Sequence, residues 1–241
     1  MMKLTKFNLV SIILVILVIL TVTGRIFSAP NLSDYSWILV FPLFAYLYYS
    51  QTKQTNHYFG FFLIGFSLVE ILKIVFYGND TMAYYVANYL VIATYASLII
   101  FLVKDFNFKL LFKQFKLHLV VLLFFNAYII YVLNQMIMQD AQLSVYSLDF
   151  IIEVAYNVLI LLVLSLSLIH YLYHETKQGL LLFLASVCIV FSEMVQVAYL
   201  FISSEYLLQI VYSALIGVGF YFLYEYIKIK YKATLKTTKI A

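Results

Sequence analysis

The chain has 241 residues, of which 65% are apolar and only 11% are charged. Soluble domains carry about 25% charged residues, and disordered or nucleic-acid-binding proteins depend on dense charge, so the composition excludes all three classes. The single cysteine, Cys188, excludes an internal disulfide and a cysteine-based zinc or iron–sulfur site. The composition therefore predicts an all-α, polytopic membrane protein that forms one transmembrane domain over residues 1–241.

Eight apolar runs approach or reach the length that crosses a bilayer as a helix. In chain order they are Phe7–Thr23, Tyr35–Ser50, Tyr58–Tyr77, Met82–Val103, Leu117–Met138, Ser147–Tyr173, Gln178–Ile202 and Tyr206–Ile227. The first two are short, and the second contains Pro42, which a membrane helix tolerates when its neighbours satisfy the freed carbonyl. The runs predict a bundle of eight transmembrane helices, with a loop at Gly24–Asp34 between the first two.

The basic residues indicate the orientation of this bundle. With eight spans, thirteen of them fall on the side of both termini, Arg25 alone falls on the other side, and Lys73 lies inside a span. Positive charge accumulates on the cytoplasmic side of membrane proteins, so both termini are expected to be cytoplasmic. The abundance of Ile, Lys, Phe and Tyr indicates an AT-rich bacterial genome and hence a bacterial inner membrane.

The predicted loop between the fourth and fifth spans has an unusual pattern. Residues 104–116 (KDFNFKLLFKQFK) interleave four lysines with four phenylalanines. This pattern is typical of an interfacial segment that contacts anionic lipid head groups. An ordinary basic loop on the cytoplasmic side explains it equally well.

Four ionisable residues lie well inside the predicted spans: Glu70, Lys73, Glu153 and Glu193. Such residues are costly in lipid and are functional candidates by default. With a rise of about 1.5 Å per residue, all three glutamates lie roughly 18 to 22 Å from the cytoplasmic face. Three carboxyl groups on three helices are therefore expected at one depth.

Other polar residues are expected near the same depth. Asn88 lies at the same level of the fourth span, while Asn157 and Gln196 share helix faces with the glutamates of their own spans, as Lys73 does with Glu70. We expect a polar, hydrated pocket in the outer half of the bundle. The alternative is that these groups only join helices through hydrogen bonds.

The histidines allow a weaker hypothesis. His170 and His174 are four residues apart beside Glu175, a spacing that can hold a metal, and His118 lies near the same face. Two histidines facing each other across helices could also bind haem. Interfacial histidines without a ligand are commoner, so we expect no metal and no cofactor.

Three stretches resemble one known family. Phe41–Tyr48 (FPLFAYLY), Gly65–Ile74 (GFSLVEILKI) and Leu181–Gln196 (LLFLASVCIVFSEMVQ) are similar to the second, third and seventh spans of the lysoplasmalogenase (YhhN-type) family. That family has eight helices, a proline in the second span and acidic residues in the third and seventh. The chain carries glutamates, Glu70 and Glu193, where the family typically carries aspartates.

The resemblance implies hydrolysis of the vinyl ether of a lysoplasmalogen to a fatty aldehyde and a glycerophospho head group. It implies a lysophospholipid substrate among membrane lipids, with Glu193 as the acid, Glu70 as the base and Glu153 able to take either role. The residues expected to bind substrate are Lys73, Asn88, Asn157, Gln196 and Tyr212, the last being what remains of a Tyr-x-x-Gln feature in the family's last span.

Two other functions use the same residues. A small-solute or proton-coupled carrier would use the carboxylates as a relay and would alternate between two open states. A non-catalytic lipid-binding protein of the same fold would bind lipid without turnover, which the two Asp-to-Glu departures favour.

Overall fold

A computed structural model describes residues 2–27, 29–51, 55–75, 81–138, 147–203 and 205–240. Within these ranges the chain forms nine helices: α1 (Met2–Ile26), α2 (Pro30–Gln51), α3 (His57–Val75), α4 (Thr81–Val103), α5 (Phe108–Gln114), α6 (Lys116–Ile137), α7 (Leu148–His174), α8 (Lys177–Phe201) and α9 (Tyr206–Ile240). The all-α fold class is confirmed. Each predicted span falls on one long helix to within about one residue, except that the last two residues of the third span lie outside the described ranges.

Six stretches of described helix are long and apolar enough to cross a membrane: Leu9–Ile26, Tyr84–Val103, Lys116–Ile137, Leu148–His174, Lys177–Tyr199 and Tyr206–Tyr231. In α3 the apolar stretch His57–Leu72 is shorter. The helix α2 is not among the six. Its serines, tyrosines, Asn31, Asp34 and Pro42 make it less apolar than those six stretches. The chain is therefore a multi-pass helical membrane protein.

The outer surfaces of these helices are apolar. Large side chains along α6 are more than two-fifths exposed; they include Leu117, Val121, Leu123, Phe124 and Phe125. A water-soluble monomer rarely exposes a continuous apolar surface of this kind. This surface therefore suits contact with lipid chains.

The chain divides into two compact units, one comprising Met1–Ser97 with Phe220–Ala241 and the other Leu98–Gly219. The boundaries fall inside α4 and α9. The single transmembrane domain over residues 1–241 stays a prediction.

In the first unit, α1 and α2 form a tight helical hairpin. A side chain at Gly24 would place its Cβ 2.8 Å from the backbone nitrogen of Ser33, so the helices approach closely there. Arg25 Nε donates a hydrogen bond to Ser33 Oγ at 3.0 Å. The predicted loop at Gly24–Asp34 is thus wrong: α1 continues to Ile26 and α2 begins at Pro30, where proline suits the first helical position.

The core of the first unit is aromatic. The Phe220 ring on α9 lies 5.0 Å from Phe41 and 5.3 Å from Phe44, both on α2. Ser97 on α4 donates a hydrogen bond to the carbonyl of Tyr58 on α3 at 2.9 Å. The Ser97 hydrogen bond holds α3, the helix that carries Glu70, to α4 inside this unit.

In the second unit, α6, α7 and α8 pack against one another. The connection between α7 and α8 has two residues: Glu175 adopts a left-handed conformation (φ 49°) and Thr176 Oγ1 caps α8 by accepting from the backbone N–H of Gly179 at 3.0 Å. So short a connection makes α7 and α8 antiparallel. Ser192 on α8 donates to the carbonyl of Tyr212 on α9 at 2.7 Å, which holds the start of α9 to α8.

Candidate functional site

Polar side chains gather at one level of the second unit. Asn134 lies on α6, Asn157 on α7 and Glu193 on α8. Counted at about 1.5 Å per residue from Lys116, His174 and Lys177, all three lie roughly 25 Å along their helices. We call these three residues, together with Glu153 and Gln196 about one turn further along α7 and α8, the polar layer.

Asn157 is the most deeply buried member of the polar layer. Its side chain is 0% exposed, and neither Nδ2 nor Oδ1 has a hydrogen-bond partner among the described residues. The Oδ1 atom of Asn134 is also buried and has no partner within the described ranges. Buried polar groups are normally paired because leaving water without a new partner is costly. Two amide groups at this level are therefore suited to a bound group that both donates and accepts hydrogen bonds.

Two of the three predicted carboxyl groups meet here. Glu153 on α7 lies close enough to Asp149, one turn earlier on the same helix, and to Glu193 on α8 for both charges to act on it, and the effect of Asp149 is the larger. Two carboxyl groups this close can present one acid and one base at the same place, which acid–base catalysis requires.

Glu70 and Asn88 belong to the first unit, on α3 and α4. Glu70 is buried, which agrees with an internal position for this carboxyl group. The Nδ2 atom of Asn88 donates to the carbonyl of Tyr84, one turn earlier, at 3.1 Å. The side chain of Lys73 lies outside the described part of the chain, so the expected pairing of Lys73 with Glu70 stays a prediction, as does the shared depth of Glu70 with the other two glutamates.

Gln196 and Tyr212 lie in the second unit. Gln196 is half-buried on α8, one turn after Glu193. The Tyr212 ring is buried and lies 5.9 Å from the ring of Tyr199. Together with the Ser192 hydrogen bond, this contact packs the beginning of α9 against the part of α8 that carries Glu193 and Gln196.

The histidines form a separate cluster. The rings of His170 and His174 lie 4.6 Å apart, and His170 Nδ1 lies 3.0 Å from the carbonyl oxygen of Leu102. Phe106 packs against both rings. His118 is exposed and touches Phe115. Among the described residues, no group of three or more His, Cys, Asp or Glu side chains could hold a metal ion.

The sequence reasoning missed Asn134. It lies near the end of the fifth predicted span and carries no charge, so a search for ionisable residues passes over it. Its depth was the available signal, because counting from the start of the span places it level with Glu193. An amide inside lipid needs a partner just as a carboxyl group does.

No protein-family model, no curated protein and no solved structure matches this chain. The resemblance to the lysoplasmalogenase family stays a prediction that rests on Phe41–Tyr48, Gly65–Ile74 and Leu181–Gln196.

Proposed function

We propose that this protein is an integral membrane hydrolase that cleaves the vinyl ether bond of a lysolipid by carboxyl acid–base catalysis inside the bundle. The observation that supports it best is the proximity of Glu153 to Glu193, beside an Asn157 amide that is buried without a partner in the described residues. Vinyl ether hydrolysis needs an acid, a base and a water molecule in one place.

The reaction begins with transfer of a proton from one carboxylic acid to the carbon of the vinyl group, which leaves an oxocarbenium ion. The second carboxylate takes a proton from water as the water oxygen attacks this ion. The second carboxyl group then returns its proton to the glycerol oxygen, which leaves as an alcohol, while the first carboxylate takes the proton of the hemiacetal hydroxyl and the fatty aldehyde forms. One water molecule is consumed, and both carboxyl groups return to their starting protonation states.

We propose that Glu193 and Glu153 supply the acid and the base between them. The family resemblance gives Glu70 as the base, whereas Glu153 is the carboxyl group that interacts with Glu193 in the second unit. The amides of Asn157 and Asn134 are suited to hold the attacking water or a substrate hydroxyl, because each offers an atom that has no protein partner in the described structure.

We further propose eight spans, two cytoplasmic termini and a bacterial inner membrane, with the lipid entering sideways from the bilayer. The distribution of the basic residues supports this topology. So do the lengths of α2 (22 residues) and α3 (19 residues), which correspond to roughly 33 and 28 Å of helix and so compare with the thickness of the hydrocarbon core.

The test is aldehyde release from a lysoplasmalogen by the purified protein in mixed micelles. Glu193→Gln and Glu153→Gln should each lower the rate about 100-fold or more, because general acid–base catalysis contributes at least that factor. Glu205→Gln is the matched control, because Glu205 is an exposed carboxylate next to the start of α9. Glu70→Gln distinguishes Glu70 from Glu153 as the base: a similar loss of rate would favour Glu70, and an unchanged rate would favour Glu153.

Failure of the wild-type protein to release aldehyde would overturn the hydrolase proposal, and so would full activity in Glu193→Gln. Lysolipid binding without release would favour the non-catalytic lipid-binding protein instead. Uptake of a solute or of protons into proteoliposomes, lost in the same variants, would favour the carrier.

A further inference from the structure

The segment between α4 and α6 folds as a short helix, α5, which is anchored on one side only. Leu111 is its buried residue and packs in a cluster with Phe106 and Ile169 of the second unit. Asn107 caps the helix, with its Oδ1 accepting from the backbone N–H of Leu110 at 3.4 Å. The cluster thus determines which side of α5 faces the protein and which sides are exposed.

The open sides of α5 are divided into two stripes. Phe108 and Phe112 are four residues apart and therefore share one face, and both side chains are more than half exposed. Lys109 and Lys113 form the adjacent stripe, about 100° further round the helix, and are also exposed. An apolar stripe beside a cationic stripe is the pattern of a helix that lies in a membrane interface.

The residues that flank α5 are also cationic and apolar. Lys104 and Lys116 are exposed at the two ends of the segment, and Leu117, the next residue, is 74% exposed. Residues 104–117 contain four lysines and a single acidic residue, Asp105, which pairs with Lys104 at 3.7 Å. The surface is therefore cationic and apolar at once.

The position of the segment decides what it can touch. α4 and α6 both contain stretches apolar enough to cross a membrane, and these stretches end at Val103 and begin at Lys116. The segment therefore lies where both helices leave the hydrocarbon. Phe108 and Phe112 can enter the acyl boundary there, which places Lys109 and Lys113 at the level of the lipid phosphates.

We propose that α5 with Lys104, Lys109, Lys113 and Lys116 is a binding surface for acidic phospholipids. The lysine ammonium groups attract the lipid phosphates and the two phenylalanines bury against the first carbons of the chains. This surface differs from the polar layer, and it does not depend on the proposed hydrolase activity.

The experiment measures how many acidic lipids the full-length protein retains. The protein is reconstituted in nanodiscs of phosphatidylcholine with 30% phosphatidylglycerol or with none, and the lipids retained after extraction into detergent are counted by native mass spectrometry. Lys109→Gln/Lys113→Gln should lower the number of retained phosphatidylglycerol molecules, because the loss of two interfacial lysines weakens the affinity about 10- to 30-fold. Phosphatidylcholine retention should not change.

Two controls separate a specific surface from general positive charge. Lys236→Gln/Lys239→Gln removes the same charge from the C-terminal end of α9 and should retain most of the phosphatidylglycerol. Lys109→Arg/Lys113→Arg keeps the charge and should bind as the wild type does. An equal loss in the α5 and C-terminal variants, or no loss in the α5 variant, would overturn the proposal. If the glutamine variant does not fold, a wild-type affinity that is unchanged between low and high salt would overturn it instead.

Discussion

Asn126 on α6 and Ser165 on α7 hydrogen-bond to each other inside the second unit. Asn126 Nδ2 lies 2.7 Å from Ser165 Oγ, and the Ser165 hydroxyl lies 3.1 Å from Asn126 Oδ1. This contact sets the register of the two helices. Asn134 lies eight residues further along α6 and Asn157 eight residues back along α7, so the same register brings these two amides to one level.

The Asn126–Ser165 contact should stabilise the folded protein measurably. In a double-mutant cycle of Asn126→Leu, Ser165→Ala and the double variant, we expect a coupling of about 0.6 to 1.7 kcal/mol, which is the range for such bonds between membrane helices. The measurement is the free energy of unfolding in mixed micelles. Additive effects of the two single substitutions would show that the contact contributes nothing.

Asn157 should matter for function and not for stability. Because its amide is buried without a partner in the described structure, Asn157→Leu should leave the melting temperature unchanged or raise it, while it lowers aldehyde release. Thermal unfolding and the aldehyde assay on the same preparation measure both quantities. Ile160→Ala, which empties a fully buried site on the same helix, is the control and should lower stability by about 2 to 5 kcal/mol. If Asn157→Leu destabilises the protein to the same degree, the amide is a structural hydrogen-bonding group.

Gly24 should be intolerant of any side chain. A Cβ there would lie 2.8 Å from the backbone nitrogen of Ser33, and backbone cannot move aside as a flexible side chain can. We expect Gly24→Ala to destabilise the α1–α2 hairpin by about 1 to 3 kcal/mol, the usual cost of overpacking. The free energy of unfolding in mixed micelles measures this destabilisation. Ile16→Ala, on an exposed face of α1, should change stability far less, and equal effects of the two substitutions would contradict the close approach.

The eight-span topology can be decided at the connection between α2 and α3. In a Cys188→Ser background, His57→Cys should react with a membrane-impermeant thiol reagent only from the cytoplasmic side, because α2 and α3 would each cross the bilayer. Phe27→Cys marks the outer side and Lys113→Cys marks the cytoplasmic side; both native side chains are exposed. Labelling of His57→Cys together with Phe27→Cys from outside would show that α2 and α3 do not each span.

Much of the helical architecture follows from the sequence because apolar runs of sufficient length have no other way to satisfy their backbone in lipid. The α2 region shows where this reasoning weakens. Its polar residues and Pro42 lower its apolar character, yet it is continuous helix from Pro30 to Gln51 and carries buried aromatic residues such as Phe44 and Tyr48. The prediction of a loop at Gly24–Asp34 was wrong for a similar reason, since Arg25 and Ser33 form a hydrogen bond to each other and the helices α1 and α2 include both residues.

The candidate site was predictable only in part. Glu153, Asn157, Glu193 and Gln196 stand out in the sequence because polar residues in apolar spans are rare. Asn134 did not stand out, and nothing along α6 or α7 alone indicates that Asn126 would meet Ser165. Those relationships depend on how far each helix is rotated and shifted against its neighbour.

The amino-acid sequence alone is enough to establish a multi-pass helical membrane protein and to single out its few intramembrane carboxyl groups. Both are properties of one segment at a time: the length of an apolar run and the cost of a charge within it. The packed structure adds that Glu193 lies close enough to Glu153 to act on it, and that both amide atoms of Asn157 and the Oδ1 atom of Asn134 are buried without partners in the described residues. Pairing of this kind depends on helix register and rotation, which are set by the interlocking of side chains from different segments and are not encoded in any single run.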